Sequence, residues 1–239
     1  MSVRGIRFHE ITGGFDCWHD RMKMDDIVIE YKRWGLRKFL YACMLRALSP
    51  WLFFCAVERR PLVTNPQLPV LAPGRSVRDA TRQELESLVD DPVYETTKSF
   101  IRDAIGCGAH CVAVFQGDKI IAYSWRAYST APHVEGLWVE VSPKHRYGFK
   151  AFTHPDYRRQ QLHHTISLKS DADSIRRGCT HSIGFIETHN YPSLLSNAKR
   201  GNKRVGYAGY VRVHGRFFTF RTRGAKQHGF RFFIPPAQH

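Results

Sequence analysis

Between His110 and Thr153 the chain passes through four runs suited to extended structure, "HCVAVFQ", "KIIAYSW", "GLWVEVS" and "RYGFKAFT". β-Branched and aromatic residues dominate them, as a pleated, half-buried surface favours. Gly117-Asp118 separates the first two and is a hairpin signal, so that pair is antiparallel. In the third, Leu137, Val139 and Val141 alternate onto one face. A basic segment, "HPDYRRQQLHHTI" (154–166), follows and leads into a helix ending near Gly178, after which "HSIGFIET" is again a strand. Antiparallel strands running into strand–loop–helix–strand commit the chain to an α/β fold with a mixed sheet.

The flanks fit that plan. "SVRDAT" is a short strand, "RQELESLV" and "ETTKSFIRDAIGCG" are helical, "NYPSLLSNAKRGN" is a short helix, and "GYVRVHGRFFTFR" closes as a hairpin around His214-Gly215. Upstream, "LVTNPQLPVLAPG" (62–74) carries three prolines and a glycine and reads as an extended connection. The boundary therefore falls there: a partly helical extension at 1–73, a domain at 74–225 and a tail at 226–239. In the extension Leu36, Phe39, Leu40, Cys43, Met44, Ala47 and Leu48 recur at helical spacing, broken by Arg37, Lys38 and Arg46 and stopped by Pro50. A spanning helix needs about 20 mostly apolar residues, so this one does not cross a bilayer. Packing on the main domain and contact of 34–57 with an anionic membrane surface both remain open.

Charge narrows the partners. Lys plus Arg number 36 against 21 Asp plus Glu, an excess of 15 that favours an anionic ligand or surface. The basic residues are scattered, which disfavours nucleic acid. Six cysteines form no CxxC pair, and the N-terminus lacks the apolar core of an export signal, so the expectation is a cytoplasmic protein with reduced thiols, membrane association left open. "CWH" at 17–19 and His163-His164 lack the ligand set of a metal site, and no metal is expected.

The order of elements resembles the GCN5-related N-acetyltransferase superfamily, over about residues 74–225. The family's cofactor loop follows a strand as roughly V-x-P-x-Y-R-x-x-G-x-G, and Thr153, His154, Pro155, Asp156, Tyr157 and Arg158 match its first half. An Asn opens the later short helix and a Gly closes it, as Asn190, Ser193 and Gly201 do in "NYPSLLSNAKRGN". The resemblance implies acetyl-CoA or a longer acyl-CoA as donor. It would be held by Phe152 and Thr153, by Arg158, Arg159, Gln160, Gln161, Leu162 and His163 in the loop, and by Asn190 and Ser193. The physical basis is simple: amides of a first helical turn and the helix dipole suit a pyrophosphate, and arginines add charge-assisted contacts. Gln161 and His163 stand where the family usually has glycine.

The resemblance further implies transfer of an acyl group to an amine; direct attack is expected because no Cys sits at an evident nucleophile position, and the apolar basic segment at 34–57 adds a lipid-linked acceptor to the small-molecule ones. The carboxylate that the family often carries before the loop is replaced by Lys150. Glu140 and Glu187 are the remaining carboxylate candidates for general base, with His189 assisting; either could equally be a polar strand end. Asn197 occupies the place of the family's tyrosine acid, leaving Ser193 and Tyr191 as alternatives. These departures sustain a second reading, a member of the same fold that binds without turnover. A homodimer is a further open expectation.

Overall fold

A computed structural model describes residues 31–236. Helix α1 (Leu36–Leu48) is followed by strand β1 (Leu52–Pro61), the connection, β2 (Arg75–Asp79), and helices α2 (Arg82–Glu86) and α3 (Lys98–Gly106). Strands β3 (His110–Gln116), β4 (Lys119–Ala127), β5 (Thr130–Val134), β6 (Leu137–Glu140) and β7 (His145–Thr153) follow. Helix α4 (Leu162–Arg176), β8 (His181–Glu187), α5 (Tyr191–Lys199), β9 (Lys203–Val213), β10 (Arg216–Arg221), α6 (Arg223–Gln227) and β11 (Arg231–Phe233) complete the chain. The mixed α/β class holds.

Eight strands form one sheet in the order β10-β9-β1-β8-β7-β4-β3-β2, and β11-β6-β5 form a second, smaller sheet. Neighbours in the large sheet are antiparallel except β7 and β8, which run parallel. The core has two sides, as alternation along β3 shows. Cys111, Ala113 and Phe115 pack with Leu137, Val139 and Phe232 of the small sheet, whereas Val112 and Val114 meet Leu162 and Ile166 of α4.

Two boundaries expected from the sequence are corrected. Strand β1 is the centre of the sheet rather than part of an extension, because Cys55–Pro61 pair with β8 and Leu52–Arg59 with β9. Its Cys55, Ala56 and Val57 are fully buried. The residues expected as a tail supply β11, whose Phe232 is buried beside Phe230. Prolines at 66, 69 and 73 mark a true connection, but one inside the domain. Cys17 and the "CWH" stretch lie outside the described residues. Helix α1 leans on the body through its buried Ala42 and Leu45, and Tyr41 Oη meets Thr188 Oγ1 at 2.6 Å. No helix among the described residues is long and apolar enough to cross a membrane.

Candidate active site

The parallel pairing of β7 and β8 is short: it joins His145, Arg146 and Tyr147 to His181, Ser182 and Ile183. Beyond it the strands separate, and the cause lies in β7. Lys150 has φ 43°, and the β4 ladder skips at this point, from Trp125↔Phe149 to Tyr123↔Phe152. An extra residue in a strand bends it away from its neighbour. The Lys150 ammonium holds the bend by donating to Glu95 O at 2.7 Å and lying 4.6 Å over the Phe100 ring. The residue that replaces the family's carboxylate thus helps open the site.

A cleft of about 490 Å³ fills the gap. Its floor includes Gly148 and Gly184, and α4 and α5 wall it with His163, Ser167, Asn197 and Arg200. A Cβ on Gly148 would meet nothing within 4 Å, so the bare backbone there opens onto space.

The basic loop joins β7 to α4. Pro155–Tyr157 form a tight turn, then Arg159 and Gln161 adopt left-handed φ of 65° and 57°. The family's glycine position is therefore held by glutamine in the conformation that glycine would take without strain. Gln161 is exposed and does not plug the cleft. It is the residue before α4 but makes no side-chain cap, and the amides of 159–163 find no acceptor among the described residues. Arg158 and Arg159 are exposed beside them, while Gln160 accepts from Arg75 at 2.7 Å. Leu162 is buried against β3 and β4 and anchors the turn. Phe152 stacks on Tyr123 at 5.4 Å, and Thr153 O accepts from Arg158 at 3.5 Å, so both shape the loop from below. His163 lines the cleft, and burial with nearby Arg126 and Arg200 depresses its pKa to about 3, leaving it neutral.

The other expected residues separate into two groups. Glu187 lines the cleft, and burial raises its carboxyl pKa to about 7, opposed by the charge of Arg46. His189 Nε2 stands 3.3 Å from Glu187 Oε2. Asn190 caps α5 by accepting from Ser193 N at 3.2 Å, and both residues line the cleft. Glu140 does not join them: it lies in the small sheet, half-exposed, bonded to Arg231 at 2.6 Å. Tyr191 is outside the lining too, its hydroxyl donating to Lys38 O at 3.1 Å.

Sequence reasoning missed Glu58, Arg60, Arg126, Arg146 and Asp171. Glu58 is buried in the cleft wall, accepts from Asn197 Nδ2 at 3.2 Å, and has its pKa raised by burial. It was hidden by the boundary placed after β1. Arg126 had a visible signal, a charge closing the apolar run "KIIAYSW".

A mixed sheet whose parallel pair parts over a glycine floor thus lies beside helix amides that have no acceptor among the described residues. No family model matches the chain, and no curated protein matches it. Among solved structures it is similar to a tandem GNAT protein from the clavulanic acid biosynthesis pathway, at 12% identity and TM-score 0.47, covering 83% of this chain and 59% of that one. It is also similar to a GCN5-related N-acetyltransferase from Kribbella flavida, at 10% identity and TM-score 0.41, covering 86% and 65%. A third, yncA of Salmonella typhimurium, solved with acetyl-CoA, has 12% identity, TM-score 0.38 and coverage of 67% and 94%. The chain spans about three fifths of the first two structures' length.

Proposed function

We propose that the protein is an acyl-CoA-dependent N-acyltransferase. One observation carries the reading: five consecutive amides, 159–163, lack acceptors among the described residues, and the last belongs to His163, which lines a cleft beside β7 and β8, the one parallel pair among the described strands of the large sheet. Unpaired N–H groups at a helix start suit a pyrophosphate, and Arg158 and Arg159 add charge. The bare floor at Gly148 and Gly184 gives room for a pantetheine arm, with Asn190 and Ser193 alongside. Acyl-CoA would supply an activated carbonyl and a thiolate leaving group. The chain's part is to hold the donor and to take a proton from the acceptor ammonium, so that its nitrogen lone pair can attack the carbonyl carbon as the C–S bond breaks.

Glu187 suits that proton transfer, because a base near neutral pKa balances availability against strength. Direct attack is favoured over an acyl-enzyme: none of the five described cysteines lines the cleft, and burial raises the Cys55 thiol's pKa. Helix α1 leaves Leu36, Leu40, Met44 and Leu48 exposed along one stripe, with Arg33, Arg37 and Lys38 nearby, which supports an acceptor at an anionic membrane surface. Vesicles of anionic lipid should bind the protein at low salt, and Leu40→Glu should weaken that binding; indifference to the substitution removes the membrane part.

Native mass spectrometry of the purified chain with acetyl-CoA and with a long-chain acyl-CoA tests the donor. Saturable one-to-one binding is expected for at least one; none for either overturns the reading. Turnover of an amine panel then separates a catalyst from a binding module, the reading that the Asn197–Glu58 hydrogen bond favours, since Asn197 takes the place of the family's acid.

A further inference from the structure

Three arginines lining the cleft outnumber the one carboxylate hydrogen-bonded among them. Arg60 on β1 and Arg146 on β7 both stand opposite Ser182 of β8, which sets them in one row, and Arg126 on β4 faces Gly148 one step along. All three line the cleft. Asp171 of α4, wholly buried, is the carboxylate that pairs with two of them: Arg60 grips both its oxygens at 2.7 and 3.0 Å, and Arg146 reaches Oδ1 at 2.6 Å. Its lone pairs are filled further by Val63 N at 3.0 Å.

Arg126 makes no hydrogen bond to Asp171 among the described residues, although that carboxylate's charge acts on it from a distance. It is 4% exposed, and its donors reach only neutral acceptors, Ser124 Oγ and Trp125 O at 2.7 Å and Ile166 O at 3.5 Å. Among the described residues its Nε has no hydrogen-bond partner, and neither has the Nε of Arg146, itself 3% exposed. Burial lowers the Arg126 pKa to about 9, which still leaves the group charged at neutral pH. A desolvated guanidinium with no carboxylate paired directly to it is unfavourable, and an apolar side chain would ordinarily replace it. Glycine at 148, its partner across the ladder, keeps the space beside it open. The planar fork of arginine matches carboxylate and phosphate oxygens two at a time.

We propose that the space beside Arg126 and Arg146 binds an oxyanion, a carboxylate or phosphate group at the end of a ligand lying along the cleft. Ser167, which also lines the cleft and whose oxygen accepts from Arg60, offers its hydroxyl proton to the same group. This site is separate from the amides of 159–163, and it stands whether or not the protein transfers acyl groups.

The test uses the whole chain, with inorganic phosphate and with glutarate as probes that tell the two sources apart. Calorimetry should show saturable binding of at least one probe, and Arg126→Met should weaken it on the order of tenfold or more. Arginine Nε–Hε resonances in ¹⁵N spectra of the unaltered protein locate the site even if the variant fails to fold: two of them should shift saturably. Absence of saturable binding by both probes overturns the proposal. So does binding that Arg126→Met leaves intact, or shifts confined to the amides of 159–163. Coenzyme A binding is measured separately, so loss of one result leaves the other standing.

Discussion

At the level of single residues, the site depends on environments that change what ordinary side chains do. Glu187 is the clearest case. Its folded-state pKa of about 7 lies above the unshifted 4.5, so the folded chain holds this proton more tightly than the unfolded one. Stability contributed by the protonated form is therefore full below about pH 4.5, declines as pH rises to about 7, and is then constant. Glu187→Gln should flatten that decline in a series of melts across the interval. It should also remove an activity inflection near pH 7 and slow transfer about 10²–10⁴-fold, the usual worth of a positioned base. An unchanged pH–rate profile would exclude Glu187 as the base. Gln161 gives a second case. Left-handed φ costs a side-chain-bearing residue about 1–2 kcal/mol, and glycine would recover this less about 0.4–1 kcal/mol of chain entropy. Thermal unfolding of Gln161→Gly should thus show equal or slightly higher stability with coenzyme A binding retained. Gln161→Pro, whose ring forbids positive φ, should abolish binding.

Among elements, α4 does most to build the cleft. Its first turn supplies the amides, its apolar side grips β3 and β4 through Leu162 and Ile166, and Asp171 ties it to β1 and β7. Removing a buried carboxylate strands two guanidinium groups, so Asp171→Asn should cost about 3–5 kcal/mol in urea unfolding. A loss below about 1 kcal/mol would show that water already screens the triad. The elements were largely legible beforehand: the hairpin at Gly117-Asp118, the loop–helix at 154–166 and the capped helix at Asn190 all follow from local chemistry. The partners of Asp171 were not, because Arg60, Arg146 and Asp171 sit on three elements far apart in sequence. Nor was the place of Glu140, whose strand obeys the alternation of a sheet strand but joins the smaller sheet.

For the molecule as a whole, the unforeseen fact is the position of β1. Local patterning finds a strand, but not its neighbours, and a proline-rich stretch looks alike whether it joins two domains or crosses one. A chain beginning at residue 74 should therefore fail to fold, since the edges of β8 and β9 would be left unpaired and prone to association. Circular dichroism and gel filtration should show lost cooperativity and aggregation; a sharp melt from a monomeric 74–239 chain would contradict this. The same topology governs how the protein comes into being. Leu52–Arg59 leave a ribosome well before their β9 partners, Lys203–Val211, have been made. Contacts of such long sequence separation form slowly. Until β8 and β9 follow, a strand carrying Phe53 and Phe54 waits without its mates, so the nascent polypeptide needs shelter over that interval.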